Sequence, residues 1–131
     1  MERAEVKAMI DAWFEGGEKG GDPELEYEDR HPDCVIEIPQ SSEVFDRDGM
    51  LGMQREFPGG APKMRLERLT GHGNEWTLEA TFDYGEERGG VFCNVMALEF
   101  KDGKIIRETR YYAEPFEAPA NRAKWTKGAS T

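Results

Sequence analysis

Two neighbouring runs of strand-forming residues, 91–100 and 104–112, constrain this fold more than any other feature of the sequence. Asp102 and Gly103 stand between them, and an Asp-Gly pair in that position predicts the tight turn of a β-hairpin. Side chains alternate across a strand, so the first run should have two distinct faces. One face is predicted to carry Phe92, Asn94, Met96, Leu98 and Phe100, and the other Cys93, Val95, Ala97 and Glu99. Large side chains on both faces indicate a hairpin that is central in its sheet.

The first thirty residues have the pattern of two helices. Apolar residues at helical spacing predict a first helix over about 2–16. A short second helix is predicted over about 23–30, and Asp22 is its predicted N-cap. His31 and Pro32 should end this helix, because a residue before proline avoids helical backbone.

The remainder of the chain is predicted to be mostly β-structure. A strand over 34–39 and a short strand at 44–45 precede a third helix over about 47–56, for which Asp46 is the predicted N-cap. The strands predicted before the hairpin are 64–70 and 76–84. Helices first and antiparallel strands later are typical of an α+β fold with helices packed on one face of a curved sheet.

The composition argues against several classes of function. The chain of 131 residues, predicted to form a single domain over 1–131, has 27 acidic and 17 basic residues. A net charge of −10 opposes binding to nucleic acids, which requires clustered cations. No apolar run approaches the length of a membrane span, and the N-terminus is too charged for a signal peptide. We therefore expect a cytoplasmic location, with neither a nucleic acid nor a membrane as partner.

Neither a metal nor a cofactor is expected. Cys34 and Cys93 lie in strand-like runs, where a free cysteine is usually a small buried hydrophobe. His31 and His72 have no partners at metal-ligand spacing. No glycine loop of the phosphate-binding kind precedes a predicted helix.

A family resemblance is carried by three strings: CVIEIPQSSEVFDRDGM, EFPGGAPKMRLERL and LEFKDGKIIRETRYYAEPFEAP. Their order and spacing resemble the nuclear transport factor 2-like superfamily and, within it, the SnoaL-like polyketide cyclase and ketosteroid isomerase group. The resemblance implies a cone-shaped α+β barrel, in which three helices from the first half pack on a strongly curved, mostly antiparallel sheet around an apolar pocket. It also implies a homodimer through the outer sheet face that carries Cys93, Val95, Ala97 and Thr109.

The catalytic residues of this group are not matched. By resemblance, a steroid isomerase would have an aspartate base at Ile38 and an oxyanion-stabilising aspartate at Met96, and its first-helix tyrosine has no counterpart. Cyclases and epoxide hydrolases of the fold would have an acidic residue where Arg110 stands. The arginine and aspartate of the hydrolases would fall near Ala80 and Phe82. Ile38 and Met96 are therefore expected to contact a ligand as apolar wall.

Glu108, Arg110 and Tyr112 should share the inner face of the last strand, together with Ile106. Arg110, oriented by Glu108, could recognise a carboxylate or an enolate because its guanidinium is planar and bidentate. Alternatively, Glu108 could be a general base whose pKa is set by burial beside Arg110. A third possibility is a β-bulge that turns both side chains outward as a surface ion pair.

Three further polar residues are candidates for the pocket. Asn94 could donate to a ligand carbonyl, or it could bond a neighbouring group or water. His31 could overhang the cavity mouth as an acid or base near neutral pH, or it could have a surface or capping role. Gln40, after the proline of the first strand, is a candidate for the pocket rim.

Aromatic residues should line or close the cavity, and a mostly apolar lining suits a flat, hydrophobic small molecule. These residues are Trp13, Trp76, Tyr84, Phe92 and Tyr112. The sequence thus predicts a protein that binds a hydrophobic compound bearing a carbonyl or acid group. It could catalyse isomerisation, cyclisation or dehydration by proton transfer, with Glu108 as acid or base. The alternative is a dimeric module without catalysis that binds a ligand or a protein.

Overall fold

The computed structural model describes residues 1–18 and 23–128. Within these residues the chain forms three α-helices and six β-strands. They are α1 (Arg3–Glu18), α2 (Glu24–Glu28), β1 (Arg30–Ile38), β2 (Glu43–Phe45), α3 (Arg47–Arg55), β3 (Lys63–His72), β4 (Glu75–Asp83), β5 (Val91–Lys101) and β6 (Lys104–Ala113). The predicted N-cap Asp22 lies outside the described residues. Asp46 caps α3 as predicted, since its side chain accepts a hydrogen bond from the Gly49 N–H. None of the described helices is long and apolar enough to cross a membrane.

The six strands form one open sheet in the order β2-β1-β6-β5-β4-β3. All neighbouring strands are antiparallel except β1 and β6, which are parallel. Helix α1 packs against β3 and α3 packs against β1. The core joins Val6 and Ile10 of α1 to Leu69 and Leu78 of the sheet, all of them buried. The predicted α+β fold with helices on a mostly antiparallel sheet is confirmed, and the sheet does not close into a complete barrel.

The hairpin predicted from the Asp-Gly pair is formed by β5 and β6. Asp102 and Gly103 connect the strands with φ angles of 53° and 77°. Positive φ at both central residues is the signature of a turn whose twist matches that of the flanking strands. The hairpin lies between β1 and β4, so its predicted central place in the sheet is confirmed.

The second helix is shorter and the first long strand is longer than predicted. Strand β1 already begins at Arg30, because the Ile105 N–H donates to the Asp29 carbonyl at 2.9 Å and holds this segment beside β6. His31 and Pro32 therefore lie in a strand and do not terminate a helix. Extended backbone is compatible with proline at an irregular point of a sheet, and the register between β1 and β6 shifts within this stretch.

Strand β6 departs from strict alternation by one residue. Its pairing with β5 shifts at Ile106, which is therefore the extra residue of a β-bulge. Ile105 has no exposed surface, whereas Ile106 is only partly buried, so the predicted inner-face position of Ile106 is wrong. Beyond the bulge, Glu108 and Arg110 are both buried, as predicted.

Candidate functional site

A cavity of about 510 Å³ lies between the three helices and the inner face of strands β3–β6. Most of its wall is aromatic or aliphatic: Trp13, Phe14, Leu25, Met53, Phe57, Met64, Phe82, Tyr84, Met96 and Tyr112. The polar lining residues are Glu26, Gln54, Arg55 and Arg110. An apolar wall with a few polar groups is typical of a site that binds and orients a small molecule. No group of three or more His, Cys, Asp or Glu side chains that could hold a metal ion occurs within 1–18 and 23–128.

Arg110 brings a buried positive charge to this wall, and its side chain is 6% exposed. Its Nε donates to Glu108 Oε1 at 2.9 Å, and its Nη1 donates to Tyr112 Oη at 3.4 Å. Its Nη2 lies 3.7 Å from Glu26 Oε2, which is an ion-pair distance longer than a hydrogen bond. A guanidinium has five N–H donors, so the described partners leave several of them for a ligand oxygen.

Glu108 holds two guanidinium groups from behind the cavity wall. Its Oε2 accepts hydrogen bonds from Arg30 Nε at 3.3 Å and Arg30 Nη2 at 3.2 Å, while its Oε1 accepts from Arg110. Arg30 Nη2 also donates to Glu26 Oε2 at 3.1 Å, and Gln54 Nε2 donates to the same oxygen at 2.7 Å. Glu26, Arg30, Glu108 and Arg110, named here the charge network, combine two positive and two negative side chains.

The charge network keeps Glu108 and Arg110 ionised. Burial raises the pKa of Glu108, but the guanidiniums of Arg110 and Arg30 outweigh burial, so the pKa of Glu108 is lowered from its usual value. Burial lowers the pKa of Arg110, but the Glu108 carboxylate outweighs it, so the pKa of Arg110 is raised well above its usual value. The predicted alternative of an outward surface pair is wrong, because both side chains are buried.

Glu108 is badly placed for the acid–base role considered from the sequence. Its side chain is 0% exposed, and it is not among the residues that line the cavity. A general base must come within hydrogen-bond reach of the proton that it takes, directly or through one water. The structure therefore gives Glu108 a positioning role, in which it fixes the Arg110 guanidinium at the wall.

Two tyrosines share the cavity wall with Arg110. The rings of Tyr84 and Tyr112 both pack against Phe82, with ring-centre distances of 6.4 and 5.9 Å. Burial raises the pKa of Tyr84 to about 12, so its hydroxyl stays protonated near neutral pH. The Tyr112 hydroxyl accepts from Arg110, which leaves its own hydrogen to donate to a ligand.

Trp13 and Met96 lie in the cavity wall, as do Tyr84, Arg110 and Tyr112. Trp13 Nε1 donates to Asp29 Oδ2 at 2.7 Å, which fixes the orientation of the indole ring. Burial raises the pKa of Asp29, and the hydrogen bond from Trp13 opposes this shift. These wall positions agree with the sequence analysis, and a contact between these residues and a ligand stays a prediction.

His31 and Gln40 have structural contacts outside the described cavity wall. His31 lies on β1, where its Nδ1 accepts a hydrogen bond from the Asp33 N–H at 3.0 Å. Gln40 is exposed, and its amide binds the backbone of Tyr112 twice: Nε2 donates to the carbonyl and Oε1 accepts from the N–H, both at 2.5 Å. Neither residue lines the described cavity, so the structure does not support the predicted role of His31 at its mouth, and Gln40 secures the end of β6.

Asn94 and Ile38 also miss the described wall. Asn94 is 1% exposed, and its Nδ2 donates to the Tyr111 carbonyl at 3.2 Å, so it bonds the neighbouring strand. Its Oδ1 is buried without a partner among the described residues. Ile38 is the last residue of β1 and is partly buried.

Trp76 and Phe92 support the fold away from the described wall. Trp76 is buried at the start of β4, and its Nε1 donates to the Gly73 carbonyl at 2.9 Å. Phe92 packs edge-on against Tyr84 with ring centres 5.5 Å apart, so it backs a wall residue without lining the cavity itself. The predicted ligand contacts of both residues are therefore not supported.

Four polar residues of the site are not identified from the sequence: Glu26, Arg30, Gln54 and Arg55. Glu26 and Arg30 are four residues apart, a spacing typical of helical ion pairs on a solvated surface. The sequence offers one signal for them: Glu108 and Arg110 are predicted to be buried, and buried charges are usually paired with other groups. This reasoning predicts that a partner exists, but it does not identify which of the many charged residues is the partner.

Comparison with solved structures shows the same fold in bacterial proteins. An NTF-2-like protein of unknown function from Burkholderia xenovorans LB400 is 27% identical, with a TM-score of 0.84 and coverage of 99% of each chain. A proposed ketosteroid isomerase from Kribbella flavida is 22% identical, with a TM-score of 0.79 over 98% of this chain and 92% of that one. A protein with a ketosteroid isomerase-like fold from Catenulispora acidiphila, solved in complex with trimethylamine, is 15% identical, with a TM-score of 0.66 over 86% and 88%.

Sequence comparison gives no further information on activity. No protein-family model matches the chain, and no curated protein matches it. The polyketide cyclase subgroup, a finer assignment than the fold, stays a prediction. The chain has the fold of the nuclear transport factor 2-like superfamily, as its sequence motifs indicate.

Proposed function

We propose that the protein binds a hydrophobic small molecule whose carbonyl or acid oxygen accepts hydrogen bonds from Arg110. The observation that carries this proposal is a guanidinium in the wall of an otherwise apolar cavity, with part of its donor set unused by the described residues. A buried guanidinium without a ligand oxygen or water on those donors would be costly.

The size and lining of the cavity support a compact, flat ligand. A volume of about 510 Å³ lies within the range of roughly 300–1,000 Å³ that is usual for small-molecule sites. Trp13, Phe57, Tyr84 and Tyr112 offer aromatic faces and edges against which a planar ring system can pack.

The fixed geometry of Arg110 supports specific recognition. Glu108 binds Nε, so the guanidinium plane is set before a ligand arrives. An arginine that is already ordered loses less conformational entropy on binding than a free one. The Tyr112 hydroxyl, which contacts Nη1, can donate to the same ligand oxygen.

Isothermal titration calorimetry with two matched probes tests this proposal. The probes are 2-acetonaphthone and 2-ethylnaphthalene, which share the ring system and differ in the carbonyl oxygen. We expect the ketone to bind the wild-type protein about tenfold more tightly, which corresponds to about 1.4 kcal/mol. In Arg110→Met this preference should disappear while the hydrocarbon still binds.

Arg107→Met is the matched control, because Arg107 lies on the same strand with its side chain 56% exposed. It should bind both probes as the wild type does. Equal affinity of the wild type for ketone and hydrocarbon, or an unchanged preference in Arg110→Met, would overturn the proposal.

A second candidate function is proton transfer on the bound carbonyl compound, such as isomerisation, cyclisation or dehydration. It is favoured by one observation: the Glu26 carboxylate lines the cavity beside Arg110. A carboxylate near a carbonyl group held by a guanidinium can exchange the proton on the adjacent carbon. NMR of 2-acetonaphthone in deuterated water tests this, since catalysed exchange of the methyl protons should occur with the wild type and not with Glu26→Gln.

The alternative is a dimeric binding module without catalysis. It is supported by exposed small and apolar residues on the outer sheet face, including Cys93 and Ala97 of β5 and Tyr111 of β6. Analytical ultracentrifugation at micromolar concentration tests the dimer, and a monomer only would remove it. Absence of proton exchange together with intact ketone binding would favour this module over an enzyme.

A further inference from the structure

The polar end of the cavity has hydrogen-bond acceptors as well as donors. Every hydrogen bond and ion pair between Glu26 and other described residues involves Oε2, which leaves Oε1 for a ligand or water. Gln54 donates through Nε2 to Glu26, while its Oε1 is buried and has no partner among the described residues. A buried acceptor without a donor is unfavourable, so Gln54 Oε1 favours a ligand that supplies an O–H or N–H group, and Glu26 Oε1 can accept from the same group.

The charge of the site also restricts the ligand. Arg30 and Arg110 are balanced by Glu26 and Glu108, so the charge network has no net charge, and the wall residue Arg55 is paired with Glu24. A carboxylate placed on Arg110 would add a third negative charge close to Glu26, in a region of low dielectric constant. A neutral carbonyl compound adds none, which makes it the better fit.

The distance between the two kinds of group sets the spacing on the ligand. Arg110 Nη2 and Glu26 Oε2 are 3.7 Å apart. Glu26 Oε1 belongs to the same carboxylate, so the ligand acceptor that meets Arg110 and the ligand donor that meets Glu26 should lie only a few bonds apart. A hydroxyl group on the carbon next to a carbonyl has this spacing.

We propose that Glu26 and Gln54 form a subsite for the hydroxyl group of an uncharged ligand, beside the carbonyl subsite at Arg110. The preferred ligand class is a hydrophobic hydroxy ketone. This inference rests on the proposed function and adds the identity of the second ligand group and its charge.

Three naphthyl probes test the subsite by calorimetry. They are 2-acetonaphthone, 2-hydroxy-1-(naphthalen-2-yl)ethanone, which adds one hydroxyl group, and the anion 2-naphthoate. The wild type should bind the hydroxy ketone about tenfold more tightly than the plain ketone, as one hydrogen bond to a charged group allows. It should bind 2-naphthoate most weakly of the three.

Glu26→Gln removes one negative charge while keeping a side chain of the same shape. The hydroxy ketone should then lose its advantage to within about twofold, and 2-naphthoate should gain about tenfold because the site becomes positive. Glu28→Gln is the matched control on the same helix, since Glu28 is exposed and does not line the described cavity. It should behave as the wild type does.

The outcomes separate this inference from the proposed function. The subsite is overturned alone if the ketone binds through Arg110 but the hydroxyl adds nothing, or if 2-naphthoate binds the wild type most tightly. If none of the three probes binds the wild type, the proposed function fails and the subsite fails with it. The comparison of probes on the wild-type protein needs no variant, so poor folding of Glu26→Gln cannot obscure it.

Discussion

Arg107 and Arg110 lie three residues apart on β6, and each has a carboxylate partner, yet their surroundings are opposite. Arg107 pairs with Glu37 on the outer face, where the two side chains are 56% and 29% exposed. Arg110 pairs with Glu108 on the inner face, where they are 6% and 0% exposed. The same pair of chemical groups is thus found in water and in the protein core on one strand.

The difference between the two pairs is mainly one of solvation. An exposed ion pair contributes little to the free energy of unfolding, because water screens both charges. A buried pair has lost its hydration, so its partners depend on each other, and an apolar replacement of the whole pair can be equally stable. Stability alone therefore gives no reason to keep the charge network in the core, whereas the proposed recognition of a ligand by Arg110 would give one.

Of the variants that compare the two pairs, Glu108→Gln should lower the free energy of unfolding most. It leaves the guanidiniums of Arg30 and Arg110 with Glu26 as their only carboxylate partner in the described network. Breaking a buried ion pair in this way typically costs about 3–5 kcal/mol. Urea denaturation should show this loss in the free energy of unfolding.

The control for this loss is Glu37→Gln, which removes the same charge from the outer pair and should cost less than about 1 kcal/mol. Similar losses in the two variants would mean that burial does not separate the inner from the outer pair.

Acid should reduce the difference in unfolding free energy between the wild type and Glu108→Gln. The folded-state pKa of Glu108 is lowered from its usual 4.5, so its stabilising contribution is complete above that value and is lost as the pH falls towards the lowered pKa. The difference in unfolding free energy between the wild type and Glu108→Gln should therefore be constant near neutral pH and shrink below about pH 4. Denaturation curves at a series of pH values measure it, and a difference that grows in acid contradicts the assignment.

Gln40→Ala adds a case without an ion pair to the comparison, because Gln40 is exposed and uncharged. Its amide makes two hydrogen bonds with the Tyr112 backbone at the end of β6. The loss should be about 1 kcal/mol, which is the usual net value of such contacts. Thermal unfolding checks this, with Gln40→Glu as a partner variant that keeps the acceptor oxygen and removes the donor.

Arg107→Ala is expected to have the smallest effect. The variant removes an exposed ion pair, and the measured worth of such pairs is about 0.2–1 kcal/mol and falls with added salt. Urea denaturation at low and high salt should show a small loss that disappears in salt. If the free energy of unfolding fell as much as in Glu108→Gln, the exposed and the buried ion pair would not differ in their contribution to stability.

Much of the fold is determined by local patterns. The Asp102-Gly103 turn and the alternation in β5 depend on residues close in sequence, so they could be predicted directly. Ile106 was misplaced because a β-bulge depends on pairing with the neighbouring strand and leaves no alternation signal of its own. The start of β1 was misplaced because the His31-Pro32 pair disfavours helical backbone but does not distinguish a loop from a strand.

The site was less predictable than the fold. The inward direction of Glu108 and Arg110 could be inferred from their spacing on a strand. Glu26 and Arg30 could not be assigned, because ion pairing across 78 positions of sequence is a product of the tertiary fold. Trp76 and Phe92 were assigned to the wall on aromatic character alone, which does not distinguish a cavity wall from the core around it.

The parallel pairing of β1 with β6 has a consequence for the order of folding. The β5–β6 hairpin is closed by a two-residue turn, whereas Arg30 meets Glu108 only after a loop of 78 residues has closed. Contacts of low separation can form early, and distant ones carry the entropy of loop closure. We expect Glu108→Gln to raise the unfolding rate and to leave the refolding rate nearly unchanged, because the contact forms after the rate-limiting step. Stopped-flow measurements decide this, and a slower refolding rate would place the charge network in the folding nucleus.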